Sequence, residues 1–362
     1  MISFKPIYRK RPAGSGIAAV LVTWGLWAAF NSEAATWTVE WNPTQPENQI
    51  GAVAEIAASG DTILVGPGTY YEHIPLEAKS LAFISTDGKE NTILDGSAIF
   101  DGREKSIIYM VGGDAEDLMV EGFTLRNGAG APEEYGEIAG GAISWWSRGL
   151  GGSARILDCR FHDNYLLDDS SGRGGAVFLT DISTVEMIGC EFEDNDADWN
   201  GGSASIYNYE ESIVQGCEFV IHPGSRAAGS ALWSGGGLIS IIDCHFIGVG
   251  SGAGFSGLSV TNFAATIRNN LFLDEEGRWA TRIRLHESLT VGDPHFSIEF
   301  TGNLVWNKAG NIPETDFQLL INYTIPTVLF NNNTIVGTTV LFSLGGGVPI
   351  TCNDLGKHQV AI

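Results

Sequence analysis

A short phrase recurs down this chain: an aliphatic run, a polar residue, then Cys or Asn, any residue, and a large apolar residue. It reads Ile156-Leu157-Asp158-Cys159-Arg160-Phe161, then Met187-Ile188-Gly189-Cys190-Glu191-Phe192. It returns as Ile213-Val214-Gln215-Gly216-Cys217-Glu218-Phe219 and as Ile241-Ile242-Asp243-Cys244-His245-Phe246. Later copies exchange Cys for Asn: Asn269-Asn270-Leu271-Phe272, Gly302-Asn303-Leu304-Val305 and Asn332-Asn333-Thr334-Ile335. From Cys159 the steps are 31, 27, 27, 26, 33 and 30 residues. A fixed phrase at such a period means one structural unit stacked on itself.

Each repeat carries a second segment after a glycine pair or Gly-Ser. Copies begin at Gly141, Gly175, Gly202, Gly229 and Gly257. These are short stretches of alternating character bounded by turn residues, which predicts strands. The 47 glycines weigh against helices. A strand-turn-strand unit without helical crossovers is one coil of a parallel β-helix, an all-β solenoid gaining one strand per sheet every ~4.8 Å. Cys159, Cys190, Cys217, Cys244, Asn270, Asn303 and Asn333 then form one ladder. Stacked amides satisfy one another, and a buried thiol fits the same corner. Parallel side chains in such a ladder favour free thiols over disulfides. Aligning Trp145, Leu179, Ile206, Trp233 and Val260 predicts that these point inward. Ser144, Phe178, Ser205 and Leu232 then point outward with Trp146, Thr180, Tyr207 and Ser234.

The N-terminus reads as an export signal over residues 1–34. Lys5, Arg9, Lys10 and Arg11 precede an apolar stretch of 14 residues, Ile17 to Phe30, and Ser32-Glu33-Ala34 is a small-x-small cleavage site. That stretch is short for a ~20-residue membrane span. The expectation is an extracellular, cell-surface or periplasmic protein with no span left after cleavage. The remainder holds 16 basic against 42 acidic residues, a net charge of −26. Such a surface excludes nucleic acid as a partner, since those binders need a basic face.

Residues 35–59 read as an entry segment in which Glu47 to Ser59 forms a capping helix, with Ile50, Val53, Ala54 and Ala57 on one face. The β-helix proper covers 60–362, with early strands at Thr62–Val65, Ser80–Ser85, Thr92–Leu94, Ile107–Val111 and Met119–Leu125. A last copy from Pro349 to Leu355 is followed by seven residues, which reads as a truncated or uncapped C-terminal end.

The opening Gly60-Asp61-Thr62-Ile63-Leu64-Val65-Gly66-Pro67-Gly68-Thr69-Tyr70-Tyr71-Glu72 resembles the first coil of right-handed parallel β-helix proteins of the pectin-lyase-like superfamily. Asn91-Thr92-Ile93-Leu94-Asp95-Gly96 and Glu121-Gly122-Phe123-Thr124-Leu125-Arg126-Asn127-Gly128 match phrases of that group. The Gly-Gly-Ala segments at 140–142 and 174–176, with Phe161-His162-Asp163-Asn164 and Phe192-Glu193-Asp194-Asn195, resemble repeats of polymorphic outer-membrane proteins. The resemblance implies the fold; it assigns no chemistry by itself.

Gly68-Thr69-Tyr70-Tyr71-Glu72 is similar to a motif of pectin methylesterases, yet the catalytic Asp pair and Gln of those enzymes have no counterpart here. Hydrolysis needs two carboxylates flanking the scissile bond. Asp168-Asp169 is an adjacent pair that reads as a solvated turn. A lyase needs a base beside cations, for which Arg173, Arg226 and Arg268 are available without an acidic partner site. Asp194, Asp196 and Asp198 alternate on a tight loop, the pattern a calcium ion uses. The helix-loop-helix calcium loop is absent, because Trp199 and Ser205 stand where it needs Gly and Glu. Trp146, Phe178, Tyr207 and Tyr209 are the carbohydrate-binding candidates, because rings on a flat sheet stack on sugar faces. The expectation is a non-enzymatic module contacting polysaccharide or cell-surface glycan. A polysaccharide lyase or glycoside hydrolase is the alternative, and a structural stalk the third reading.

Overall fold

The computed structural model describes residues 34–361 except the segments 98–104, 113–115, 133–137, 167–171, 198–200, 222–229, 249–255, 275–283, 286–296, 308–316, 322–326, 337–339, 345–349 and 354–359. The described residues form a right-handed parallel β-helix. One sheet holds 15 strands and a second holds 10, and the strands within each pair in parallel with their counterparts one coil away. Long strands such as Val177–Ile188 and Ala204–Gln215 turn a corner in mid-course, at Asp181 (φ 61°) and Asn208 (φ 49°). Each therefore contributes two faces of the coil.

The recurring phrase is the second corner. The residue before each ladder position is left-handed: Asp158, Gly189, Gly216, Asp243, Asn269, Gly302 and Asn332 have φ between 46° and 67°. Asp, Asn and Gly are the residues that tolerate this region, which is why the step before Cys or Asn is limited to them. The ladder residue then points inward, and its donor reaches a carbonyl on the preceding coil. Asn270, Asn303 and Asn333 give Nδ2 hydrogens to Ile241, Ile267 and Phe300 at 2.8–2.9 Å. Cys159, Cys190, Cys217 and Cys244 give Sγ hydrogens to Val120, Ile156, Met187 and Val214 at 3.3–3.5 Å. The thiol thus repeats the amide's bond at the same register position, more weakly. All four cysteines are buried and free, and burial pushes the Cys159 thiol up to about 12. Cys352 pairs with Phe330 on the strand before that corner, so it is not a ladder member. One position after the ladder's next residue, Phe161, Phe192, Phe219, Phe246 and Phe272 stack at 4.7–4.9 Å, with planes within 9° of parallel. This is the strand spacing itself, imposed on the rings by the sheet.

The face assignment holds for Ile143, Trp145, Val177, Leu179, Ala204 and Ile206, all fully buried in the core. It fails at the next coil. Ala204 pairs with Leu232 and Ile206 with Ser234, so Leu232 and Ser234 point inward and Trp233 outward. The register then shifts by one before Glu211 pairs with Leu238. The corner is one residue shorter here, and glycine permits it: a Cβ on Gly237 would lie 2.0 Å from the Glu210 carbonyl oxygen. A period-27 alignment cannot see a compensated slip of this kind.

The capping helix runs Gln49–Ile56, shorter than expected, with Ile50 and Ala54 buried against the first coil and Ala57 just beyond its end. Strands at Thr36–Val39, Gly68–Tyr71 and Ile74–Glu77 were not legible in the sequence. The expected strand Met119–Leu125 is two, Asp117–Glu121 and Thr124–Arg126, separated by left-handed Gly122.

Candidate functional site

The coil Asp61–Val65, Gly68–Tyr71 and Ile74–Glu77 is the first complete one, and Leu81–Ser85 opens the next by pairing on Asp61–Val65. Before the first coil, Thr36–Val39 pairs over Asp61–Val65 and Glu47 bridges Tyr71. The helix Gln49–Ile56 therefore occupies the slot where a strand would lie over Ile74–Glu77, which it contacts. Its two ends are held by side chains flanking that strand. The Glu72 carboxylate accepts the N–H groups of Gln49 (2.7 Å), Ile50 (2.9 Å) and Gly51 (3.1 Å). The Lys79 ammonium donates to the carbonyls of Ala54 and Glu55, both at 3.0 Å. The orphan N–H groups of the first turn and the carbonyls of the last are thereby satisfied, and the Lys79 charge complements the helix dipole at its C-terminal end.

This accounts for the esterase-like motif in structural terms. Gly68 is needed because a Cβ would lie 2.6 Å from the Trp41 ring. Tyr70 is buried and donates to the Gly66 carbonyl at 3.0 Å. Glu72 caps the helix. Burial pushes its carboxyl up to about 7, against the three N–H bonds that pull it down. A carboxyl raised in the folded state binds its proton more tightly there than when unfolded. Its stabilising contribution is complete below about 4.5 and is lost as the pH rises towards 7. The stability difference between wild type and Glu72→Gln is expected to move by up to ~3 kcal/mol in favour of the variant across this window. Denaturant titrations at several pH values measure it. A difference moving towards wild type would show that the N–H bonds outweigh burial.

Between the helix and strand Ile74–Glu77 lies a cavity of about 550 Å³, lined among others by His73, Lys105, Lys79, Glu55 and Glu77. His73 Nδ1 lies 2.6 Å from the Ser106 carbonyl oxygen, so Nδ1 donates there. Nothing in the spacing of His73 and Lys105 marks them in the sequence; the coil places both on the lining of one cavity.

The same face continues down the solenoid. Pro75, Tyr109, Ser144, Phe178, Ser205 and Trp233 share one outward register row. Glu77, Val111, Trp146, Thr180 and Tyr207 share the next. Trp146 and Tyr207 are thus two strands apart on one face, with buried Thr180 between them. Tyr207 is 45% exposed, and its ring lies 5.6 Å from Trp233 at 30°. Trp146, Tyr109 and Trp233 are half-buried. Two of the four carbohydrate candidates are corrected. Phe178 points outward but is only 2% exposed, with Trp146 at 6.2 Å and buried Ser144 and Ser205 on either side. Tyr209 points inward, because left-handed Asn208 breaks the alternation, and its hydroxyl meets Ser234 Oγ. Trp233 joins Trp146 and Tyr207 on the outer face in their place.

Asp194 and Asp196 flank buried Asn195, and Asp198 lies outside the described residues. Asn195 is structural: its Nδ2 donates to Phe161 O and its Oδ1 accepts from Asn164, in a second amide ladder. Among the described residues no three His, Cys, Asp or Glu side chains stand close enough to hold a metal ion. Asp168-Asp169 and Arg226 also lie outside the described residues. The other concentration of charge, on the outside of the short sheet, is closed on itself. Lys89 meets Asp158 and Glu191 at 2.7 and 2.9 Å, and Arg160 meets Glu191 and Glu90 at 2.6 and 2.8 Å. Burial alone would lower Lys89, but the two carboxylates outweigh it and hold it above the usual lysine range, so it is no base.

No protein-family model matches the chain, and no curated protein matches it. Among solved structures it is similar to a PL6 family alginate lyase, AlyGC, with a TM-score of 0.54 and 14% identity over 85% of this chain and 40% of that one. A mutant of the same lyase aligns with a TM-score of 0.44 and 12% identity over the same shares. The chain thus spans well under half the length of the lyase it matches, and at this identity the likeness establishes the fold. Among the described residues no helix is long and apolar enough to cross a membrane.

Proposed function

We propose that this chain is an exported, carbohydrate-active β-helix that lays a linear polysaccharide along the Trp146, Tyr207 and Trp233 face and cleaves it by elimination. The observation that carries this reading is the cavity at the end of the aromatic row, which His73 and Lys105 both line in an otherwise strongly acidic protein. The fold it shares with an alginate lyase supports the choice of polymer class. Elimination from a uronate removes the C5 proton, and that electron pair forms the C4–C5 double bond. The C4–O bond breaks, and the departing oxygen takes a proton from water, to which the base later gives up the C5 proton. Of the groups that line the cavity, His73 supplies the imidazole suited to accept that proton and Lys105 the cation suited to offset the uronate carboxylate. Lys79 is committed to the helix carbonyls, so it orders the wall of the cavity instead.

The mature protein incubated with alginate, polygalacturonate and a neutral glucan should generate the near-ultraviolet absorbance of unsaturated uronates from a polyuronate alone. New reducing ends without that absorbance would identify hydrolysis, for which Glu55 and Glu77 line the same cavity. Retention on a polysaccharide column without cleavage would favour a binding module, a reading supported by the extent of the aromatic face compared with the few titratable groups beside it.

A further inference from the structure

We infer that two copies of this chain pack face to face, with antiparallel solenoid axes, through the outer side of the sheet that carries 153–157, 184–188, 211–215, 238–242 and 264–268. This does not depend on the polysaccharide reading, because the left-handed corners at Asp181 and Asn208 turn that side away from the Trp146, Tyr207 and Trp233 face. One outward row runs Arg155, Glu186, Ile213, Ser240, Thr266 and Glu299, with Met119 before it and Leu329 after. The next runs Leu157, Ile188, Gln215, Ile242 and Arg268. Leu157, Ile188, Ile213 and Ile242 thus adjoin, directly or diagonally, on an outer face. Ile188 is 38% exposed, and Leu238 beside Ser240 is 49% exposed. Adjoining apolar side chains left on an outer surface mark interaction sites. Across these coils the face has no rim. Val177–Ile188, Ala204–Gln215, Ser230–Ile242 and Ser256–Arg268 pass round one edge as continuous strands. A single left-handed residue turns the other edge, at Gly189, Gly216, Asp243 and Asn269.

The order of charges on this face selects a second copy as the occupant. Arg155 meets Glu186 at 2.9 Å, and four strands further on Arg268 meets Glu299 at 3.2 Å. Along the solenoid the signs run plus, minus, plus, minus, and reversal turns each into its opposite. A two-fold axis parallel to the strands, midway between those of Ile213 and Ser240, makes that reversal. It sets Arg155 against Glu299 of the second copy and brings Glu186 diagonally across from Arg268. It also sets Met119 against Leu329, Ile213 against Ser240 and Gln215 against Ile242. The remaining carboxylates of these rows meet no carboxylate, since Glu121 falls opposite Asn331 and Glu211 opposite Leu238. Such an interface is isologous, and a dimer closes it. The axis keeps the strand directions of the two sheets aligned, as in sandwiches whose sheets stack ~10 Å apart. From Met119 to Leu329 the face is ~34 Å long at ~4.8 Å per strand, and a five-residue strand is ~17 Å wide. The footprint of ~600 Å², before side-chain relief is counted, approaches the ~800 Å² of accessible surface per partner in a standard interface.

Sedimentation of the mature protein over a concentration series, with no sugar present, tests this. A reversible monomer–dimer equilibrium is expected, and a monomer throughout the series overturns the inference. Arg155→Glu and Glu299→Arg should each weaken the dimer at least tenfold, because either homodimer then holds two like-charged pairs. An equimolar mixture of the two variants should dimerise like the wild type, since the mixed dimer joins opposite signs at both symmetry-related places. Failure of the mixture to recover overturns the antiparallel pairing. Ile188→Lys puts an ammonium opposite Arg268 of the second copy without touching the core. It should yield a monomer with an unchanged far-ultraviolet circular dichroism spectrum. A dimer that all three variants leave at wild-type strength is formed through another face and overturns the inference as well.

Discussion

Asn303→Ala is expected to destabilise the solenoid by about 3–5 kcal/mol, read as a lower denaturation midpoint at unchanged slope. Asn303 is 1% exposed and its amide is used completely. Nδ2 donates to Ile267 O (2.9 Å) and Asn333 Oδ1 (3.1 Å), while Oδ1 accepts from Asn270 N (2.8 Å) and Asn270 Nδ2 (3.0 Å). Alanine leaves four partner groups without that amide in a place water does not reach. An orphaned buried group costs ~1–3 kcal/mol, and the four are coupled, so the sum is smaller than four separate losses. Asn303→Cys should recover part of the loss, since a thiol at this position can give its hydrogen to the Ile267 carbonyl, as Cys244 does to Val214. It cannot recover the rest, because Asn270 loses its acceptor. A loss below about 1 kcal/mol for alanine would mean that backbone pairing alone holds the corner.

Tyr207→Ala combined with Trp233→Ala is expected to weaken polysaccharide binding roughly tenfold to a hundredfold, taking each stacked ring as ~1 kcal/mol or more. The melting temperature should move little, because Tyr207 is 45% exposed and Trp233 stands on the outer face. Retention on an alginate column and calorimetric titration read the first effect, and a thermal scan the second. Full retention by the double variant would remove the aromatic face from the binding site. Trp233→Asp is an internal control on the register. An inward tryptophan replaced by a charge would unfold the coil, whereas the observed outward Trp233 predicts a folded protein.

Much of this architecture was legible in the amino-acid string, and for a physical reason. The phrase around Cys159, Cys190, Cys217 and Cys244 encodes a corner that only Asp, Asn or Gly can turn, followed by an inward donor that only a short polar or thiol side chain can supply. Such constraints act residue by residue, so they survive as a pattern, and the ladder and the stacked phenylalanines follow from it. The helix Gln49–Ile56 was also visible, through the spacing of Ile50, Val53, Ala54 and Ala57. Its clamps were not, since Glu72 and Lys79 meet it across more than 20 residues of chain.

What only the tertiary structure decided is whether a side chain in a given strand faces water. Alternation assigns Phe178 outward correctly yet cannot show that it is buried there. The same rule puts Trp233 on the wrong face, because one corner is a residue shorter and a later shift restores the period. The cavity belongs to this second class as well. His73, Lys105 and Glu55 come from three separate segments, and no local rule relates them. The sequence determined the repeating backbone, since each coil imposes the same local conformational and hydrogen-bonding demands. The outward surface, where a polymer would lie, is free of those demands, so the residues that meet there are set by coil register and by a helix standing where a strand would otherwise be.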